Sequence, residues 1–131
     1  YQKEVLDLNP DLITVEFVND VGKGPEKILA NWAEFIARAR AHNPKVEFIL
    51  ITPHYVMPSW MGEGYFKSVD AMRLAAKENK VALADANNVW AHLREVGIPH
   101  EPLQANGINH PTDLGHEFFA ESLMRLLSPG K

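Results

Sequence analysis

Two polar tips of this chain carry residue types that acyl-transfer chemistry uses. One is His110, followed by Pro111 in the run NGINHPTDLGHEFFAESLMRLL from Asn106 to Leu127. A loop histidine titrates near neutrality, and a proline beside it at the mouth of a helix stiffens the loop, so His110 is a candidate general base. The other tip is Asn19-Asp20 in VNDVG, where the apolar run LITVEF ends. A side-chain amide at a strand end can donate to a developing oxyanion, although Asn and Asp also close turns in any protein. His110, Asp113 and His116 are ordinary zinc-ligand types, but their spacing is not that of a helical ligand pair, so no metal and no cofactor is expected. His116 is expected to pack structurally, and His42, His92 and His100 to lie at the surface. His54, just past a strand, is open to two readings, a cleft wall or a surface group.

Composition narrows the classes. The chain has 131 residues, 46% hydrophobic, which is one domain's worth and enough for a real core. Thirteen basic against seventeen acidic side chains give a net charge of −4, and no run of Lys or Arg could neutralise a line of phosphates, so no nucleic acid partner is expected. With no cysteine there is no disulfide, thiolate metal site or Cys nucleophile. The apolar runs are too short for a membrane span. The opening YQKEVLDLNP reads as the later part of a helix, so a preceding piece is expected.

The elements that must position the two tips follow from periodicity. LITVEF, Leu12 to Phe17, is β-branched and apolar and reads as a parallel strand covered on both faces. A helix is expected from Pro25 to His42, with Ile28, Leu29, Trp32, Phe35, Ile36 and Ala39 on one stripe. VEFILIT (Val46 to Thr52) and VALAD (Val81 to Asp85) are the next strands. A helix over Tyr65 to Asn79 lies between them, and a short one, capped by Asn88, runs on through Glu95. The last helix starts at Asp113, whose carboxylate is expected to cap it, and packs Leu114, Phe118, Phe119, Leu123, Met124 and Leu127 inward. Alternation of this kind argues for an α/β fold with an open parallel sheet and helices on both faces. Ligands bind beyond the carboxyl ends of such strands, where Asn19, the loop Pro53 to Gly64 and the loop after Asp85 all fall.

PDLITVEFVNDVG, ITPHYVMPSWMG, VALADANNVW and NGINHPTDLGHEFFAESLM together resemble the SGNH, or GDSL-type, hydrolases, a flavodoxin-like α/β family of esterases and lipases. The resemblance runs from about Asn9 to Leu127 and covers the later part of the family's domain. It implies that Asn19, in the Gly-x-Asn-Asp block with Phe17 in place of the glycine, donates to the oxyanion. It implies that His110, in the Asp-x-x-His block, is the base that activates a serine. Gly107 stands where that block has its acid. A one-residue insertion would bring Asn106 into the orienting position; Asp113 is the nearest carboxylate in sequence, and a Ser-His dyad is the remaining option. The Gly-Asp-Ser block is absent, and Ser59, Ser68, Ser122 and Ser128 do not follow a strand in the needed setting.

The resemblance thus implies an ester hydrolase, with a carbohydrate acetyl ester as one substrate class, whose nucleophile lies outside this chain. The other expectation, from the absent serine, is a non-catalytic α/β domain used for binding or assembly. The family's sheet order leaves Leu12 to Phe17 as an open edge once the first two strands are lost. An N-terminal segment or a partner chain is therefore expected to pair there.

Overall fold

A computed structural model describes residues 1–128. Its centre is a three-stranded parallel sheet in the order β1 (Leu12–Glu16), β2 (Glu47–Ile51), β3 (Ala82–Ala84). Leu12 lies opposite Glu47 and Ile49 opposite Ala82. Every strand is a residue or two shorter than its apolar run, although the Thr52 amide just past β2 still donates to the Ala84 carbonyl at 3.1 Å.

Helices α1 (Pro25–His42) and α2 (Glu63–Asn79) lie on one face. Ile28, Trp32, Ile36 and Ala39 recur at helical spacing and close, with Met72, Ala75 and Ala76, over Ile13, Val15, Phe48 and Leu50. Pro25 occupies the first turn of α1, where its missing donor costs nothing. On the other face α3 (Ala86–Glu95) and α4 (Asp113–Leu127) gather Trp90, Leu93, Phe118 and Phe119 around Ile51 and Tyr55.

Both caps differ from expectation. Asp85, not Asn88, starts α3: its carboxylate accepts from the Asn88 amide and from Thr52, and Arg73 grips it through Nε and Nη2. Burial pushes that carboxyl up, and the bonds from Arg73 outweigh burial and hold it below the usual range. At α4 the cap is Thr112, whose hydroxyl accepts from the Gly115 amide, so Asp113 is an exposed first-turn residue. α2 starts at Glu63, earlier than its apolar pattern suggests.

Packing departs from expectation along one side. β1 alternates buried and exposed positions, so Ile13 and Val15 enter the core while Leu12 and Thr14 face outward. Among the described residues its far edge has no strand neighbour. Leu114, Met124 and Leu127 of α4, expected inside, are 51, 55 and 59% exposed. The physical reason is width: the apolar band of α4 is broader than three strands and α3 can cover. The opening segment is a 3-10 turn, Leu6–Leu8, closed by Asn9 in the left-handed region, rather than an α-helical end.

Candidate active site

Beyond the carboxyl ends of β1 and β2 the chain supplies two short polar loops. After Phe17 it tightens into a 3-10 turn, Val18–Gly22, which lifts Asn19 into solvent and pairs Asp20 with Lys23 at 2.6 Å. The second loop, Gln104 to Pro111, is closed at its base by the Ala105 amide, which donates to the His110 carbonyl at 2.7 Å, and is filled by one side chain. Asn106 Oδ1 accepts from the amides of Ile108, Asn109 and His110 at 2.9, 2.9 and 3.0 Å. Gly107 sits at φ +69°, a left-handed position that a side chain resists. Gly115 lets the start of α4 approach this loop, since a Cβ there would lie 2.8 Å from Pro111 Cβ.

The loop is also fastened to the segment after β2. The Met57 amide donates to Ile108 at 2.7 Å, Gln104 donates to the Tyr55 carbonyl, and His100 Nε2 lies 3.0 Å from the Val56 carbonyl. His100 is therefore a buried structural group, not the surface residue its loop position suggested. A histidine beside two prolines carries no sequence sign of such a distant partner.

These fastenings bring Asn19 and His110 to one cleft of about 360 Å³, whose wall also carries Glu16, His54, Asn109, His116 and Phe119. Asp113 does not line it, and Asn106 spends its amide oxygen on the loop backbone instead of the His110 ring. His116, exposed on the first turn of α4, has its ring 6.4 Å from that of Phe119. None of the four serines lines this cleft: Ser59 is exposed and borders a neighbouring cavity, as does Ser68, which is buried and engaged with the carbonyls of Val21 and Gly64. Ser122 donates to Phe119, and Ser128 follows α4.

Two ionisable residues of the cleft escaped the sequence reading in whole or part. Glu16 ends β1 with one carboxylate oxygen buried and unpartnered. Burial raises it to about 7, with the Val18 amide opposing and Asp20 adding to the rise. Its sequence signal was a lone acid at the ligand end of an otherwise apolar strand. His54 is buried between the rings of Trp90 and Phe119, with both ring nitrogens unbonded. Burial lowers it to about 4 against the nearby Gln104 side chain, and His116 and His110 push the same way as burial. It is therefore a neutral imidazole at physiological pH. Among the described residues no group of three or more His, Asp or Glu side chains is placed to hold a metal ion, and no helix is long and apolar enough to cross a membrane.

Comparison with known proteins gives this geometry a context. No curated protein matches the chain. Among solved structures it resembles LAE5, an alpha/beta hydrolase enzyme from the metagenome of Lake Arreo, at 24% identity and TM-score 0.76, over 95% of this chain and 62% of that one. It resembles the acetyl xylan esterase AlAXEase at 19% identity and TM-score 0.78, over 97 and 72% of the two chains. It also resembles an acetylxylan esterase from Geobacillus stearothermophilus at 17% identity and TM-score 0.78, over 98 and 64%. At these identities the likeness is one of fold, with the three parallel strands and flanking helices held in common. The chain spans less than two thirds of the length of the first of these structures. The model of the GDSL-like lipase/acylhydrolase family matches residues 1–118, and the chain belongs to that family.

Proposed function

We propose that this chain carries the base and one oxyanion donor of a serine ester hydrolase, and that the serine comes from residues outside it. One observation carries this reading: Asn19 and His110, from opposite ends of the sequence, line a single cleft. His110 would take the proton of the serine as its oxygen attacks the ester carbonyl. The Asn19 amide would donate to the oxyanion that forms. Collapse breaks the bond to the alcohol oxygen, which receives the proton back from His110, and water then releases the acyl group by the same steps.

The loop geometry supports a Ser-His dyad. Asn106 orients His110 through its backbone, and Asp113 has no part. The free edge of β1, with Leu12 and Phe17 exposed beside it, supports a serine-bearing segment that adds a strand there and partly covers Met124 and Leu127. The acetylxylan and acetyl xylan esterases that share the fold support trying a carbohydrate ester first.

The test uses the polypeptide with that serine present and 4-nitrophenyl acetate as substrate. His110→Ala should lower kcat/KM by at least about a thousandfold. An unchanged rate would remove His110 from the chemistry. The second reading, a non-catalytic α/β domain, is favoured by the lack of any serine on the cleft wall, and it holds if the unmutated protein shows no turnover.

A further inference from the structure

Among the described residues, the wall of the cleft that holds Asn19 and His110 carries a single carboxylate, that of Glu16. It ends β1 three residues before Asn19, on the face of the strand that also presents Leu12 and Thr14. One of its oxygens is buried and has no hydrogen-bond partner. Burying an unpaired carboxyl costs stability, so a strand end that keeps one calls for a reason outside folding.

The other ionisable groups around Glu16 are accounted for. Asp20 pairs with Lys23 at 2.6 Å. The Tyr65 phenol stays neutral because burial pushes it up, and its hydroxyl donates to the His54 carbonyl. His54, buried between aromatic rings, is a neutral imidazole. Two imidazoles remain on the wall, His116 and His110. Of these, His110 is the one that becomes a cation when it takes the proton of the serine. Its own loop gives that cation no charge, since Asn106 is an amide and Asp113 lies off the wall.

We propose that Glu16 is a positioning residue for His110: its carboxylate faces the imidazolium across the cleft and supplies the negative charge that Asn106 and Asp113 do not. It acts through space, without a hydrogen bond to the ring. The inference rests on the esterase reading above. Unit charges about 10 Å apart at an effective dielectric of about 20 to 40 favour the ion pair by about fourfold to fifteenfold. Burial raises the carboxyl to about 7, so the charge is present above that pH and absent well below it.

The experiment uses the polypeptide with the serine-bearing segment present and compares the unmutated protein with Glu16→Gln and Asp113→Asn. It reads kcat and KM for 4-nitrophenyl acetate against pH, the titration of the His110 ring by NMR, and the denaturation midpoint. Glu16→Gln should lower kcat by at least about threefold at about pH 8.5 with KM little changed, because the charge acts on a cation formed in the transition state. At about pH 5.5, where the native carboxyl is also neutral, the two proteins should match. Asp113→Asn should stay within about twofold at both, as the loss of an exposed charge does. In Glu16→Gln the His110 ring should hold its proton at least about threefold less tightly. The same substitution should raise the denaturation midpoint at about pH 8, so stability and activity move in opposite directions, whereas a purely structural residue would move them together.

A kcat ratio that does not change with pH, or a His110 titration untouched by Glu16→Gln, would overturn the pairing, while turnover that still depends on His110 keeps the esterase reading in place. If no ester is hydrolysed, the esterase reading fails, and the catalytic role of Glu16 fails with it. The His110 titration then decides whether the two groups are coupled at all.

Discussion

The two faces of the sheet are built to different standards. Under α1 and α2, Ile28, Trp32 and Ile36 are at most 2% exposed, and the aromatic rings of Phe17, Trp32, Phe35 and Phe48 form a connected set. Across the sheet, Leu12, Leu114, Met124 and Leu127 all stand more than 40% exposed. The first face is a finished core. The second is a core with one wall open, and the candidate site sits on that open side. The difference teaches that in this chain the tightest packing lies on one face of the sheet and the cleft that holds His54 and His110 opens toward the other.

The separation makes measurable differences, and the largest should be in packing. Trp32→Ala empties the finished face and should cost about 3–5 kcal/mol of unfolding free energy. Denaturant titration reads this directly, and a loss under about 1 kcal/mol would mean that the first face is not the core on which the fold depends.

Next in size is the pH response, which belongs to the open side. The Glu16 carboxyl titrates at about 7 when folded against an ordinary 4.5. Above 4.5 the unfolded chain releases this proton and the folded one keeps it. Stability is therefore lost as pH rises from 4.5 to 7 and stays low beyond, by up to about 3 kcal/mol. His54 works in the opposite sense. Titrating at about 4 rather than 6.5, it is neutral in the folded state, and its contribution is present above 6.5 and lost as pH falls toward 4. Between 4.5 and 6.5 the two slopes oppose each other. Glu16→Gln should raise stability at pH 8 and expose the His54 slope below 6.5. A pH profile unchanged by the substitution would show that Glu16 is not held protonated.

The smallest effect is the one that separates an open wall from a missing one. In this chain alone, Met124→Ser should change stability by no more than about 0.5 kcal/mol, as an exposed position does. With the serine-bearing segment present the same substitution should cost about 1–3 kcal/mol, because the side chain becomes part of an interface. Equal small costs in both would argue that nothing docks on this face of α4.

The sequence patterns that were legible are those in which one residue's neighbours along the chain determine its fate. The stripe from Ile28 to Ala39 had to be a helix with one wet side, and the three β-branched or small-residue runs had to be strands, because periods of 3.6 and 2 leave few alternatives. His110 and Asn19 stood out through their motifs, and the structure puts both on the wall of one cleft. What was not legible depends on partners far away in the chain. His100 meets a carbonyl 44 residues distant, and Glu16 owes its protonation to how much of the sheet closes over it. Leu114, Met124 and Leu127 have the spacing of core residues, and no local pattern reveals how many strands will be present to receive them. The caps at Asp85 and Thr112 were missed because each has a residue within three positions, Asn88 or Asp113, that caps at least as well.

Asn106 has a consequence for how such a loop can evolve. Its single oxygen gathers three amides and so fixes the path of the chain into His110. An aspartate offers an oxygen in the same place. The amide nitrogen of Asn106 has a use as well, since it donates to Asn109 Oδ1 at 3.2 Å, and an aspartate would lose that bond. At this position the shape of the turn and the charge beside the next imidazole are therefore tied together, and exchanging amide for acid changes both.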